Sequence, residues 1–427
     1  LDLPVTDLKA YFKGVTQSTD PTYPINFTER LFTEAELSAF GENGVFGEEP
    51  NTGGEGKKFI QQTEDGGCII VSSSRYYGTG NGDLLIAKLD QNGDLQWVKT
   101  LDGGNGDALT NAKPTNDGGM IITGSCSLPG LPYGYPMLVK LSKNGDVEWS
   151  NTFGEQIGGS SASYDVAQTS EGDYIITTAS GPGYDTTFCL SKVLASGNLE
   201  WKKQYDFGSF GINPHTLSID DDGNYLVGGF TQRNEVGMPC NATALKINSD
   251  DTIAWANSFS ESPAGTKYGS FNSIMQTSDG GYVAGGISSS VSAYPARNST
   301  LIKITPNGTI DWSNGYVFNE TRDSGVSALI ETSDGKYAFV GSARDTPANG
   351  GNMCAYLAQV DSSGNIVDNA DGALYRIGEN SHSRVYSLQQ TPEGGFMLAG
   401  AVNFNSGAEG WKRSTTVIKI DSNGNLQ

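Results

Sequence analysis

One ten-residue stretch constrains the fold more than any other: Lys88-Leu89-Asp90-Gln91-Asn92-Gly93-Asp94-Leu95-Gln96-Trp97. An apolar strand runs into an Asn-Gly turn, whose glycine supplies the positive φ of a tight hairpin, and a second strand carrying a Trp follows. The pattern returns at Lys140 to Trp149, and again before Trp201, Trp255 and Trp312. A period of just over fifty residues marks a repeat architecture.

The full unit has four strand-like pieces. In the first copy these are Phe59 to Gln62, which runs into a Thr-x-Asp-Gly-Gly turn, then Cys68 to Val71, Leu84 to Leu89, and the Trp strand. Seven turns of the first kind align, centred on Asp65, Asp117, Glu171, Asp222, Asp279, Asp334 and Glu393, with spacings of 51 to 59 residues. Four antiparallel strands repeated seven times predict an all-β, seven-bladed β-propeller over residues 39–427. A solenoid would show shorter repeats and capping units. The 57 glycines and only 18% charged residues suit short strands joined by turns, with little helix.

The KLD-x-NG-x-x-x-W pattern, paired with Thr277-Ser278-Asp279-Gly280-Gly281-Tyr282, resembles the repeat of secreted and cell-surface β-propeller proteins of bacteria and archaea. It is also similar to the tryptophan-docking repeat of quinoprotein-like propellers, which implies that each Trp closes a blade against its neighbour. The resemblance implies a fold and not an activity. The cofactor and calcium ligands of quinoproteins have no counterpart here, so no cofactor is expected.

Two copies depart from the pattern. Asp368 stands where a sixth Trp would fall, and the seventh copy stops at Gln427, one residue short of its Trp. An unfilled blade edge exposes unpaired backbone groups. Val45-Phe46-Gly47 aligns with Thr152-Phe153-Gly154, so a strand from about residues 39–47 is expected to complete the last blade. Donation of that strand to a second molecule, giving a filament, is the alternative. Residues 1–38 read as an N-terminal arm or leader, with one short helix at Thr33-Glu34-Ala35-Glu36-Leu37.

Catalytic groups are sparse. His215 and His382 are the only histidines, and neither has a metal-like partner nearby in sequence, so both read as packed or surface residues. The acids of Asp90 to Asp94 and Asp220 to Asp222 recur at hairpin turns and read as turn chemistry rather than calcium loops. No metal site is expected. The five cysteines form no CxxC pair; Cys68 and Cys189 read as buried thiols, and Cys189 with Cys240 as a candidate bridge between repeats.

A net charge of −21 argues against nucleic-acid binding. There is no apolar run of membrane-spanning length, and the opening at Leu1 without a signal-like core suggests a trimmed product. Sequons at Asn26, Asn241, Asn298, Asn307 and Asn319 permit N-glycosylation on a secretory route. Trp411, Tyr133, Tyr135 and Tyr294 fall in variable loops and are the candidate contact residues.

The functional expectation is a non-enzymatic extracellular or cell-surface propeller that works by binding, adhesion or assembly. Its partner would be a protein or glycan, with self-assembly through residues 1–47. The alternative is a glycan-active enzyme with carboxylates meeting on one face.

Overall fold

The structure is a computed structural model. It describes residues 5–18, 22–37, 45–50, 57–74, 82–103, 106–127, 134–153, 162–180, 187–233, 240–259, 269–289, 297–318, 324–344, 353–367, 373–375, 382–405, 411–422 and 424–426. Seven antiparallel sheets form the blades of a β-propeller. In the second blade the strands are Asp107–Pro114, Met120–Ser127, Gly134–Leu141 and Val147–Phe153, from the centre outwards. The other blades repeat this order, and their first strands contact one another in a ring from Lys58–Gln62 round to His382–Gln390.

The repeated residues have distinct tasks. The aspartate of the Thr-x-Asp-Gly-Gly turn accepts from the turn's own Thr and Gly: Asp65 Oδ1 takes Thr63 Oγ1 at 2.5 Å and Gly67 N at 3.1 Å. The lysine that opens each Lys-Leu-Asp run then reaches the same turn. Lys88 to Asp65 is 2.9 Å, Lys140 to Asp117 is 2.7 Å and Lys303 to Asp279 is 2.6 Å. One ion pair thereby ties the two hairpins of a blade together. The aspartate of the Asn-Gly turn bonds backbone amides, as Asp90 Oδ1 does with Asn92 N and Asp94 N at 2.8 and 2.9 Å.

Tryptophan joins one blade to the next. A Cβ added to Gly145, Gly197, Gly308 or Gly364 would fall within 3.0 Å of Trp97, Trp149, Trp255 or Trp312 of the preceding blade. The turn glycine is therefore needed twice, for its left-handed φ and for the flat approach of the indole. Three of the rings also meet the tyrosine that starts the next blade's second strand. Trp149 lies 5.8 Å from Tyr174, Trp255 5.6 Å from Tyr282, and Trp312 6.3 Å from Tyr337.

Two residues after the Trp, Asn151, Asn257 and Asn314 donate to the carbonyls of Gly197, Gly308 and Gly364. Where that position is lysine, an acid answers it. Lys203 pairs with Asp251 at 2.6 Å, and Asp251, at φ 71°, takes the place the glycine holds elsewhere.

The N-terminal segment is a belt around the ring. Val5–Asp7, Gly14–Ser18, Thr22–Pro24 and Thr28–Leu31 add outer strands to the fourth, third, second and first blades in turn. Leu8, Ile25 and Phe32 plug between blades and are almost wholly buried. Thr33 and Glu36 bond reciprocally at the start of the short helix Glu34–Leu37, as a capping box does. Val45–Pro50 then pairs with Trp411–Ile420 and is the fourth strand of the seventh blade.

Asp368 lies outside the described residues. The Cys189–Cys240 bridge does not form, and none of the five cysteines is in a disulfide. Among the described residues no helix is long and apolar enough to cross a membrane.

The docking geometry predicts that Trp255→Ala, at a side chain only 6% exposed, lowers unfolding stability by about 3–5 kcal/mol. Gly308→Ala, at φ +85° against the Trp255 ring, should cost at least about 1–3 kcal/mol. Denaturant unfolding of both variants against the parent checks this.

Candidate active site at the central channel

Alternation of paired strands fixes two faces. The Asp-Gly-Gly and Asn-Gly turns lie at one end of the strands; the second-to-third-strand and blade-to-blade connections lie at the other. On the inner strands of six blades the pairing register slips by one residue, leaving Thr110, Tyr164, His215, Asn272, Ser327 and Tyr386 as the extra residues. Such a bulge re-aims a side chain, and repeated at one phase around a ring it lines the channel with polar groups.

Three of these groups meet. The His215 ring stacks on Tyr164, with centroids 6.3 Å apart at 23°, and meets Phe230 edge-on at 5.2 Å. Its Nδ1 is 2.9 Å from Ser270 Oγ and 3.3 Å from Asn272 Oδ1. The Asn272 amide nitrogen donates to the Val326 carbonyl of the next blade at 2.8 Å, so Oδ1 faces the imidazole as an acceptor. That orientation assigns the proton to Nδ1 and leaves the Nε2 lone pair as the basic site.

Burial holds the His215 pKa at about 4, below its ordinary 6.5; the Asn272 bond works against this and the Lys57 charge adds to it. Burial also raises the Tyr164 hydroxyl, which keeps it protonated.

Lys57 immediately precedes the innermost strand of the first blade, nearly opposite His215 in the ring. Its charge nevertheless acts on His215 in the fourth blade and feels Asp165 in the third. It is exposed, and desolvation by the surrounding protein lowers its pKa while the Asp165 charge works against this. Asp165 is wholly buried and saturated: it accepts from Asn111 Nδ2 at 2.7 Å, Lys113 Nζ at 2.9 Å, Leu217 N at 2.5 Å and Val166 N at 2.7 Å. It positions three neighbouring blades and has no lone pair left for chemistry.

A second polar group lies at the loop end of the first two blades. Asp107 is 3% exposed, and its Oδ2 accepts from Gly103 N at 2.8 Å. Burial pushes its carboxyl up to about 7, with the Gly103 amide opposing and Asp83 and Asp102 adding to the rise. A groove of about 750 Å³ lies elsewhere, on the outer wall between Val5 to Lys9 and the Asn307-Gly308 turn. Its charged residues Asp7, Lys9 and Asp311 form no acid–base set.

Of the contact residues expected from sequence, Tyr135 and Trp411 fall within the described residues. Tyr135 is in the strand Gly134–Leu141 and 7% exposed, packed in the core rather than in a loop. Trp411 begins the strand Trp411–Ile420. Tyr133, Tyr294 and Asn319 lie outside the described residues. Asn26 and Asn307 are exposed, whereas Asn241 and Asn298 are half-buried within strands. His382 accepts from Met353 N at 3.0 Å.

No protein-family model matches the chain, and no curated protein matches it. Among solved structures it is similar in fold to the polysaccharide lyase Uly1, with a TM-score of 0.52 and 8% identity, covering 96% of this chain and 99% of that one. It is also similar to an ulvan lyase described as a new polysaccharide lyase family, PL25, with a TM-score of 0.52 and 10% identity, covering 90% and 95%.

The expectation of a non-enzymatic binding or assembly module is corrected here. It rested on the lack of a readable catalytic set. Pairing of the inner strands brings His215, Tyr164, Asn272 and Ser270 together from three blades, in a fold shared nearly end to end with two polysaccharide lyases. The belt strands and Val45–Pro50 pair within the same chain.

Because native His215 binds its proton only near pH 4 while an unfolded histidine does so near ~6.5, the unfolded chain holds more protons in between. Stability should fall as pH drops from 6.5 to about 4. Thermal midpoints across that window should show a shallower slope for His215→Asn; an unchanged slope would contradict the assignment.

Proposed function

We propose that the chain is a glycan-active enzyme, a lyase that cleaves a uronate-containing polysaccharide by β-elimination at the channel mouth. The observation that carries this reading is the bulged His215, held between Tyr164 and Asn272 with its Nδ1 committed and its Nε2 available. The two polysaccharide lyases of similar fold support the same reaction class.

In this scheme Lys57 neutralises the uronate carboxylate, which acidifies the adjacent C5 hydrogen and stabilises the enolate-like charge that develops. His215 Nε2 accepts the C5 proton. The Tyr164 hydroxyl donates its proton to the glycosidic oxygen as the C4–O bond breaks and the C4=C5 double bond forms. No water is consumed; the base ends as imidazolium and the acid as tyrosinate, and return of the proton from His215 to Tyr164 through solvent restores both.

Hydrolysis fits less well. Glycosidases need two carboxyl groups about 5–9.5 Å apart across the scissile bond, and Asp165 has its oxygens filled by hydrogen bonds. A net charge of −21 repels a polyanion at long range, but salt screens that field beyond about 8 Å, leaving local cations to hold the substrate. Polysaccharides of this class are met outside the cell, and the exposed sequons at Asn26 and Asn307 suit such a setting.

The test is to incubate the purified protein with a panel of uronate-bearing polysaccharides and follow the ultraviolet absorbance of the unsaturated product. His215→Ala should lower kcat by about 10²-fold or more with an unchanged fold. The parent's kcat/KM should hold down to about pH 4, where His215 becomes protonated. Saturated products alone, or full activity in His215→Ala, would refute the reading.

A further inference from the structure

A different part of the molecule carries a second site, and its case does not depend on the lyase reading. Asp83 begins the third strand of the first blade, Asp102 ends that blade's fourth strand, and Asp107 begins the inner strand of the second blade. Three points far apart in the topology of two blades therefore converge at the loop end of their shared seam. One carboxylate oxygen from each lies within 4.8 Å of the others.

Asp107 is 97% removed from solvent by its 3% exposure, and its Oδ1 has no hydrogen-bond partner among the described residues. Leaving a buried carboxylate oxygen without a partner is costly, and a bound cation is the ordinary remedy.

The surrounding backbone is shaped to hold the group. Gly82, at φ +109°, presents its carbonyl to Asp107 N at 2.7 Å. A Cβ at Gly103 would fall 2.8 Å from Asp107 Oδ2, so a larger residue there would have to displace the carboxylate that the Gly103 amide holds.

From these observations we infer that Asp83, Asp102 and Asp107 bind one calcium ion that fastens the first blade to the second. The donors are all hard oxygens, with neither imidazole nor thiolate to favour zinc. Oxygens within 4.8 Å of one another can share a cation at about 2.3–2.6 Å from each. Magnesium demands shorter bonds and near-octahedral geometry, which carboxylates fixed on three separate strands do not readily supply.

Full-length protein, stripped with a chelator and dialysed, is titrated with calcium chloride by calorimetry, and its thermal midpoint is followed in parallel. The expected result is one saturable site per chain and a midpoint rise of about 3 °C or more at saturation. Asp107→Asn and Asp102→Asn should each weaken calcium binding at least about tenfold, and magnesium should bind the parent at least about tenfold more weakly.

Four results would overturn the proposal: no saturable calcium binding by the parent, many weak equivalent sites, parent-like affinity in a folded Asp102→Asn or Asp107→Asn variant, or equal affinity for magnesium. Should one variant fail to fold, the parent titration and the other variant still decide.

Discussion

The structure depends on an indole packed against a glycine of the next blade. Each blade is a short, strongly twisted sheet that cannot bury both its faces alone. Trp149, Trp255 and Trp312 cover the seam by packing on Gly197, Gly308 and Gly364 and against Tyr174, Tyr282 and Tyr337. The Asn two residues later locks the register by bonding the same glycine's carbonyl. Each aromatic pair contributes about 0.5–1.5 kcal/mol beyond area burial. Their larger effect is geometric, because a fixed blade-to-blade angle is what lets seven sheets close a ring.

Closure needs more than the repeat. The belt adds strands to four consecutive blades and inserts Leu8, Ile25 and Phe32 at their seams before Val45–Pro50 completes the seventh blade. On the turn face a second stitching runs through side-chain amides and a carboxylate. Gln168, Gln276, Glu331 and Gln390 accept from backbone N–H groups of Asn116, Asp221, Ser278 and Ser333 in the preceding blades. The inner strands are thereby held at a common height, which gives their bulges a common phase along the channel.

Local patterns made the propeller legible. Turn glycines, the Lys-Leu-Asp run and the periodic Trp are each written within a few residues, and the seven-fold recurrence of the Thr-x-Asp-Gly-Gly turn counts the blades. The belt was legible only as an arm, because strands of three to five residues carry no alternation and their partners lie far away in sequence.

The site was the least legible part. His215 reads as a packed histidine until the inner strand is paired, since a bulge is a relation between two strands and not a property of one. A signal was nonetheless present: aligned on their Thr-x-Asp-Gly-Gly turns, Thr110, Tyr164, His215, Asn272, Ser327 and Tyr386 fall in one column of mostly polar residues. Tyr135 misled in the opposite direction, because the strand it belongs to begins one residue earlier, at Gly134.

The channel thus joins a rigid scaffold to a neutral base, a protonated phenol and a cation reaching from nearly opposite sides of the ring. In the proposed reaction, acid, base and charge neutralisation come from different blades, so that reaction would depend on the angle that the tryptophans set. The most direct measurement is a crystal structure of the His215→Asn variant with an acidic oligosaccharide bound. The account predicts a sugar at the channel mouth, its carboxylate beside Lys57 and its C5 facing residue 215. An oligosaccharide bound on the turn face or the outer wall, away from Tyr164 and Lys57, would contradict it.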